Sequence, residues 1–379
     1  MIYFDNGATT LQKPTQVARA MEAAMISCAN PGRSGHRPAM KAADVVYRCR
    51  EEAAALFGAP GPESVVFTQN ATHALNLAIK SVLHSGGHAV ISGYEHNSVV
   101  RPLEAMKESG VTYTVAQSPL FSQRAAYDAV CEALQDDTRC IIINHISNVF
   151  GFVLPLEAID QLCSRKGIPL IVDASQSAGI LPISAAALKS AHFICMPGHK
   201  SLYGPQGTGI LISCKDSGLF SLMQGGTGSN SIETTQPGFL PDIFESGTLN
   251  VPGIAGLHEG LRFVRRQGLA AMAQHKRHLI EAAAGELAEL KGVTVYRSSA
   301  DCHQGLFAFT VQGKSSAEVC QKLAERDICL RDGLHCSPLA HRSAGTLPDG
   351  ACRVSFSCFN TLSEVKFFLS AVKKMLTSP

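Results

Sequence analysis

Short apolar runs recur between about residues 15 and 255, and segments with helical periodicity separate them. The runs are Val65–Phe67, Ala89–Ile91, Ile141–Ile143, Leu170–Val172 and Gly209–Ile212. Continuous apolar strands that alternate with helices indicate an α/β domain with a mostly parallel central sheet. We therefore predict a large α/β domain over residues 16–255.

The order of elements changes after about residue 260. A long, charged, alanine-rich helix is predicted through HKRHLIEAAAGELAEL, and strands and helices in mixed order follow it in GLFAFTV, SAEVCQKLAERD and ACRVSFSC. This order is typical of an α+β domain. A chain of 379 residues is long enough for two domains. We assign residues 1–15 and 256–379 to the second, smaller domain.

Composition narrows the class of partner. The chain carries 33 basic and 31 acidic residues, a formal net charge of +2, and the charges are scattered. Proteins that bind nucleic acid or anionic membranes carry long basic patches, so neither is an expected partner of this chain. A small polar substrate is the expected partner. No apolar stretch reaches the roughly 18 residues of a membrane span, and the N-terminus lacks a signal-peptide pattern. The expectation is a cytoplasmic protein whose 13 cysteines are mostly buried small hydrophobes.

The segment Gln69–Thr72 lies between a predicted strand and a helix whose apolar positions begin at residue 71. Such a turn offers free backbone N–H groups and a positive helix end to a phosphate, with Ala71 and Thr72 in the first turn. The alternative is that Asn70 or Thr72 only caps the helix.

Three further side chains are expected at the same edge of the sheet. Asp173 ends the apolar strand LIVD, and His96 follows another strand in YEHNS. Lys200 stands in the glycine-rich and proline-rich turn PGHKSLYGPQG. Each has an ordinary structural explanation by itself. Together with the phosphate turn, they are the parts that hold pyridoxal 5′-phosphate through a Schiff base, with a carboxylate at the ring nitrogen and an imidazole against the ring.

With these residues in place, and with YFDNGATT at positions 3–10, the chain resembles the class V aminotransferase family of fold type I enzymes over essentially its whole length. The resemblance is to the cysteine desulfurase and selenocysteine lyase branch. It implies the fold type I architecture, a large domain with a mostly parallel sheet and a smaller α+β domain. It also implies pyridoxal 5′-phosphate as cofactor and a homodimer as the active unit.

The resemblance also implies a role for each site residue. Lys200 would be the Schiff-base lysine, His96 would stack on the ring and Asp173 would pair with the pyridine nitrogen. The remaining cofactor contacts would be Gln176 at the phenolic oxygen, Asn148 near cofactor and substrate, Thr72 and His199 at the phosphate, and Thr248 from across the dimer interface.

Two C-terminal segments narrow the branch. Arg331–Cys336 reads RDGLHC and resembles the R-x-G-x-H-C segment of group II desulfurases, whose cysteine accepts sulfur. Arg353, in CRVSFSC, matches the family arginine that binds the substrate carboxylate, to which a planar guanidinium fork is well suited. Arg331 and His335 are predicted to contact the substrate. The alternatives are a buried Cys336 and an Arg353 in a surface salt bridge.

The expected reaction is cleavage of the C–S bond of L-cysteine, which gives L-alanine and a persulfide on Cys336. Lys200 would move the α-proton, and His96, His335 or Arg331 would favour the thiolate that attacks. The persulfide sulfur would pass to an acceptor protein or a small thiol.

The sequence departs from the family pattern at the phosphate site. Pro197 stands where relatives carry a hydroxyl residue, Ser201 is an additional residue after Lys200, and the phosphate turn reads Asn70–His73 where many group II members have paired threonines and a glutamate. We expect a retained cofactor with a rearranged phosphate cup.

Other functions remain open at this stage. A selenocysteine lyase would use the same scaffold on L-selenocysteine and depend less on Cys336, because the selenol is the better leaving group. Another class V activity, such as an aminotransferase or a kynureninase-like hydrolase, would not need Cys336. A non-catalytic scaffold would need neither Lys200 nor Arg353. No metal is expected, because Cys336, His341, Cys352 and Cys358 do not match common zinc spacings.

Overall fold

The structure, a computed structural model, describes residues 1–31, 34–216, 218–298 and 301–377. The strands are β1 Ile2–Tyr3, β2 Val65–Thr68, β3 Gly87–Ser92, β4 Val111–Ala116, β5 Thr138–Asn144, β6 Leu170–Asp173, β7 Ala191–Pro197, β8 Gly209–Ser213, β9 Val293–Tyr296, β10 Leu306–Val311, β11 Ile328–Cys329 and β12 Cys352–Ser355. The α-helices are α1 Thr15–Ser27, α2 Arg37–Phe57, α3 Ala71–Leu83, α4 Asn97–Ala105, α5 Gln123–Glu132, α6 Leu156–Lys166, α7 Val251–Gln267, α8 Leu269–Ala288, α9 Ser316–Ala324, α10 Pro338–Ala344 and α11 Leu362–Thr377.

Strands β2 to β8 form a seven-stranded central sheet, in the order β2-β8-β7-β6-β5-β3-β4. The five strands from β7 to β4 run parallel to one another, whereas β8 runs antiparallel to both β2 and β7. The predicted α/β class and mostly parallel sheet are confirmed. Strand β4 was absent from the predicted set because its central residues are only partly buried and it lacks a continuous apolar run.

Both faces of this sheet are buried, which explains why its strands read as continuous apolar runs. Alternate residues of a strand point to opposite faces. Ile141 and Ile143 therefore belong to one hydrophobic core, while Ile142 belongs to another on the opposite side. Helices α3 and α4 contribute to the core on the Ile142 side, and α2, α5, α6 and α7 contribute to the core on the other.

A further core is built mainly from the C-terminal third of the chain. Strands β12, β10 and β9 form an antiparallel sheet, and β1 pairs in parallel with β11. Phe4, Phe309 and Phe368 meet in the core that α8, α9 and α11 cover. The N-terminal strand thus joins the C-terminal elements. The predicted boundary at 255/256 falls within α7, and the two-domain division stays a prediction.

The carboxyl ends of the parallel strands meet at one edge of the central sheet. Asn144 at the end of β5 is the register partner of Asp173 at the end of β6. The next strand, β7, ends at Pro197, three residues before Lys200. Open α/β sheets bind ligands at this edge, and here Gly7 and Ala8, which follow β1, lie against it together with Arg331, His335 and Cys336. Among the described helices, none is long and apolar enough to cross a membrane.

Candidate active site

A cavity of about 220 Å³ opens at this edge, between the two sets of elements. It brings together every site residue that the sequence predicts except Thr248. Its predicted lining residues are Ala71, Thr72, His96, Asn148, Asp173, Gln176, His199, Lys200, Arg331, His335, Cys336 and Arg353.

Lys200 is held in a tight turn directly after β7. A side chain at Gly198 would come within 2.3 Å of the Thr208 hydroxyl, so only glycine fits there. The N-terminal segment also restrains the turn, because the hydroxyl of Thr10 donates to the carbonyl oxygens of His199 and Lys200. Burial lowers the pKa of Lys200 to about 8, although the carboxylate of Asp173 opposes the shift. An amine with such a pKa is partly neutral near pH 7 to 8 and can act as a nucleophile or a base.

Asp173 is a buried carboxylate on the cavity wall. Its Oδ1 accepts a hydrogen bond from the backbone N–H of Ser175 at 2.8 Å. Burial raises its pKa, and Lys200 acts in the opposite direction. Beside it, the amide of Gln176 donates to the carbonyl oxygen of Gly7 at 2.9 Å. A buried carboxylate is stabilised by a cationic donor, so the cavity offers a place for a protonated ring nitrogen.

His96 occupies the N-cap of α4. Its Nδ1 accepts from the backbone N–H of Ser98 at 3.0 Å and also lies within a short hydrogen bond of the Ser98 hydroxyl. Burial, with Lys200 nearby, lowers its pKa to about 4, so the ring is neutral at physiological pH. These bonds fix the orientation of the imidazole at the cavity wall.

The N-terminus of α3 also lines the cavity. Asn70 is the N-cap, and its side chain accepts from the backbone N–H of His73 at 2.9 Å. The N–H groups of Ala71 and Thr72 have no protein acceptor in the described residues, so the turn caps the helix and still presents donors to an anion. His199 also lines this space, and its Nδ1 is buried without a hydrogen-bond partner in the described part of the chain.

Arg353 is almost fully buried, so its prediction as a surface salt bridge is excluded. Its Nη2 lies 2.6 Å from Oδ1 of Asp5, and its Nη1 donates to the carbonyl oxygen of Asn148 at 2.9 Å. Its Nε has no hydrogen-bond partner among the described residues. Arg353 lines the cavity, two protein contacts fix the orientation of its guanidinium, and its Nε is left without a partner among these residues.

Cys336 is the one exposed cysteine of the 13. It lies in the segment between β11 and α10, and the alternative that it is buried is excluded. The residue before it, His335, donates its Nε2–H to the carbonyl oxygen of Ala351 at 3.0 Å. Burial, with Arg353 nearby, lowers the pKa of His335 to about 2, so this ring stays neutral and is a weak proton acceptor.

Thr248 lies away from this cavity. It lines two other depressions of the same chain, one with Tyr47 and Asp242 and one with Gln69 and Asn250. Its predicted contact with the phosphate across a dimer interface stays a prediction.

Sequence reasoning missed two carboxyl groups of the site. Asp5 stands in the segment YFDNGATT without an assigned role, and it pairs with Arg353. Glu95 precedes His96, and its Oε1 accepts from Ser92 Oγ at 2.6 Å and from the Asn144 N–H at 2.8 Å. Burial raises its pKa to about 8. The signal for both was an acidic residue beside an apolar strand, which predicts burial but not the partner.

The donor set of the cavity fits pyridoxal 5′-phosphate. The amine of Lys200, the buried carboxylate of Asp173 and the free amides at the start of α3 match the aldehyde, the ring nitrogen and the phosphate of that molecule. A cavity with a buried lysine, at the carboxyl edge of a mostly parallel seven-stranded sheet, is the arrangement typical of fold type I enzymes, the class that uses this cofactor.

Comparison with known proteins supports this class. The sequence matches the Aminotransferase class-V family over residues 2–368. The chain therefore belongs to the class V aminotransferase family.

Its relatives in that family carry the names of cysteine desulfurases. A probable cysteine desulfurase of Mycolicibacterium paratuberculosis is 30% identical over 99% of this chain, which spans only 55% of that protein. One of Methanothermobacter thermautotrophicus is 29% identical, with 96% of this chain and 92% of the relative covered. Among solved structures, the apo cysteine desulfurase from Thermococcus onnurineus NA1 superposes with a TM-score of 0.90 at 28% identity and covers 99% of this chain and 94% of its own.

Proposed function

We propose that this protein is a pyridoxal 5′-phosphate-dependent cysteine desulfurase that converts L-cysteine to L-alanine and carries the sulfur on Cys336. The observation that supports it most strongly is the exposed thiol of Cys336 on the same cavity as Lys200 and Arg353. An aminotransferase needs the lysine and the arginine but has no chemical use for a thiol at this position. The names of the relatives agree with this activity.

The residues that would hold the cofactor in this proposal come from several elements. Lys200 would bind the aldehyde, Asp173 would neutralise the ring nitrogen and His96 would pack against the ring. The N–H groups of Ala71 and Thr72 would bind the phosphate, with His199 as a further donor. Gln176 would contact the phenolic oxygen. When bound, the cofactor withdraws electrons from the substrate Cα and so acidifies its proton.

Arg353 and Lys200 act on the substrate amino acid. The unsatisfied Nε and the Nη2 of Arg353 form a fork for the substrate carboxylate, while Asp5 and Asn148 keep the guanidinium in place. Arg331 and His335 border the same space. Once the substrate amine has taken its place at the aldehyde, the Lys200 amine, whose pKa is lowered to about 8 by burial, would take the α-proton.

Cys336 performs the sulfur step. Its thiolate attacks the sulfur of L-cysteine, an S–S bond forms, and the C–S bond breaks with its electron pair left on the substrate carbon. That carbon takes up a proton, Lys200 returns its proton to the α-carbon, and the products are L-alanine and the Cys336 persulfide. Arg331 and Arg353 supply the positive environment for the thiolate, since His335 is too weak a base.

The test measures alanine formation and sulfide release by the cofactor-loaded protein with L-cysteine and dithiothreitol. The Cys336→Ala variant is expected to lose cysteine turnover, whereas Cys131→Ser, a half-buried cysteine of α5 outside the cavity, keeps it. L-Selenocysteine is assayed in parallel. Turnover confined to selenocysteine would refute the desulfurase and indicate a selenocysteine lyase, and unchanged cysteine turnover in Cys336→Ala would refute the thiol mechanism.

We further propose that the active unit is a homodimer in which Thr248 contacts the phosphate bound by the partner subunit. Large apolar side chains are exposed on α1 and α2 and in the 223–239 segment; they include Ile26, Met40, Tyr47 and Ile232. Tyr47 lines the same depression as Thr248. Light scattering measures the mass, and Thr248→Val should weaken cofactor binding without dissociating the dimer.

We propose a small thiol or an acceptor protein as the recipient of the sulfur, and a cytoplasmic location. The free cysteines agree with a reducing compartment.

A further inference from the structure

Ser337 occupies the N-cap of α10 but does not cap the helix. A serine at this position ordinarily accepts a hydrogen bond from the second or third N–H of its helix, and that contact stabilises the helix. Here the fully buried Ser337 hydroxyl instead donates to Oδ1 of Asn148 at 2.7 Å, across 189 residues of sequence. The local cap has been replaced by a long-range contact toward the cavity.

The same Asn148 side chain is bound on both of its polar atoms. Its Nδ2 donates to the carbonyl oxygen of His335 at 2.8 Å, while its Oδ1 accepts from Ser337. The two residues that Asn148 contacts are the immediate neighbours of Cys336. One amide thus spans the cysteine, and we call Ser337 and Asn148 together the turn clamp.

The turn that carries the thiol needs such a restraint. His335 and Cys336 both have left-handed backbone angles, with φ of 50° and 57°, which side chains other than glycine rarely adopt. Two consecutive residues in this conformation persist only where surrounding contacts hold them. Besides the clamp, the N–H of Asn97 donates to the Cys336 carbonyl oxygen at 2.7 Å, and the N–H of Ser337 donates to Leu334 at 2.8 Å.

We propose that Ser337 is a positioning residue for the sulfur step, which acts through Asn148 to hold the strained Cys336 turn with its thiol facing the substrate. The proposal rests on the proposed function for its kinetic consequence, and its structural part stands independently. It also ties the thiol to the carboxylate site, because the carbonyl oxygen of Asn148 accepts from Arg353. Asn148 thus contacts both the arginine that would bind the substrate carboxylate and the two neighbours of the cysteine that would attack the sulfur.

The test compares Ser337→Ala with Ser337→Thr, which keeps the hydroxyl, and with Ser343→Ala as matched control. Ser343 lies in the same helix, and its hydroxyl donates to the carbonyl oxygen of Gly93 at 3.0 Å, outside the cavity. Two kinds of measurement are made on the purified, cofactor-loaded protein. The first is steady-state kinetics, kcat and KM, with L-cysteine and L-selenocysteine; the second is the rate of backbone hydrogen exchange at positions 97 and 337.

Loss of one neutral hydrogen bond should lower kcat for cysteine in Ser337→Ala by about five- to tenfold, with KM changed less than about twofold. Selenocysteine turnover should fall less, because it depends less on the thiol. Exchange at Asn97 and Ser337 should accelerate by a similar factor of about five or more. Ser337→Thr should restore both quantities, and Ser343→Ala should leave both at wild-type values.

An unchanged exchange rate in Ser337→Ala would overturn the clamp. So would an equal fall for both substrates, since this would indicate general damage to the cavity. If the wild-type protein does not turn over cysteine at all, the proposed function fails and the exchange rates alone decide on the clamp.

Discussion

The pair formed by Asp5 and Arg353 gives a sharp test of how the substrate arginine is held. The Asp5→Asn substitution keeps the shape of the side chain and removes its charge. Arg353 then remains buried, with 3% of its side chain exposed, and lacks its one carboxylate partner among the described residues. Removal of one member of a buried ion pair costs about 3–5 kcal/mol, because the remaining charge is neither solvated nor paired.

The structure places the expected cost at the lower end of this range. The Asp5 side chain is 18% exposed, so water partly screens the pair, and Arg353 keeps its hydrogen bond to Asn148 at 2.9 Å. We therefore expect Asp5→Asn to lower the free energy of unfolding by about 3 kcal/mol. The chain contains no tryptophan, so urea unfolding is best followed by far-ultraviolet circular dichroism.

Asp44→Asn is the matched control. Asp44 pairs with Arg48 on α2, and both side chains are more than half exposed, so its loss should leave the unfolding midpoint unchanged. A carboxylate ligand such as L-alanine should stabilise Asp5→Asn more than wild type, because it returns an anion to Arg353. If Asp5→Asn costs no more than the surface control, Asp5 does not hold the guanidinium and the reasoning is refuted.

Three further predictions concern other buried ionisable side chains. Burial raises the pKa of Glu95 from 4.5 to about 8, so its contribution to stability is full below pH 4.5 and is lost as the pH rises to 8. The Glu95→Gln variant should therefore show a smaller fall in melting temperature between pH 5 and 8 than the wild type, and an equal fall would contradict the prediction. Lys276 is buried, its pKa is lowered to about 8, and its Nζ donates to the Ser201 hydroxyl at 3.0 Å. Because the buried cation is unfavourable, Lys276→Met should raise the melting temperature at pH 7, and this gain should shrink between pH 8 and 10.5, where the lysine of the folded protein is neutral. An equal gain at both ends of that range would show that packing alone is responsible. Glu245 pairs with Arg50 at 2.5 Å, and both side chains are less than a tenth exposed. Glu245→Gln should lower the free energy of unfolding in urea by about 3–5 kcal/mol, and a loss below about 1 kcal/mol would show that the pair does not stabilise the fold.

The local sequence pattern was sufficient for the central elements of the fold. The continuous apolar runs predicted β2, β3, β5, β6 and β8, and the polar residue that ends a run located Asp173 at the rim. The edge strand β4 was missed because one of its faces is partly exposed. The reversed direction of β8 was not predictable either, since an apolar run reads the same in a parallel and an antiparallel strand.

The candidate site divides in the same way. The sequence by itself made Cys336 a candidate through the single motif RDGLHC, and it made Lys200 a candidate through its order along the chain with the phosphate turn, His96 and Asp173. The partners of the site were decided by the tertiary structure. Arg353 pairs with Asp5 across 348 residues, and Ser337 turns from its own helix to Asn148 across 189. Residue type alone predicts that a buried charge or hydroxyl requires a partner, whereas the identity of that partner depends on which distant elements the fold brings within about 3 Å.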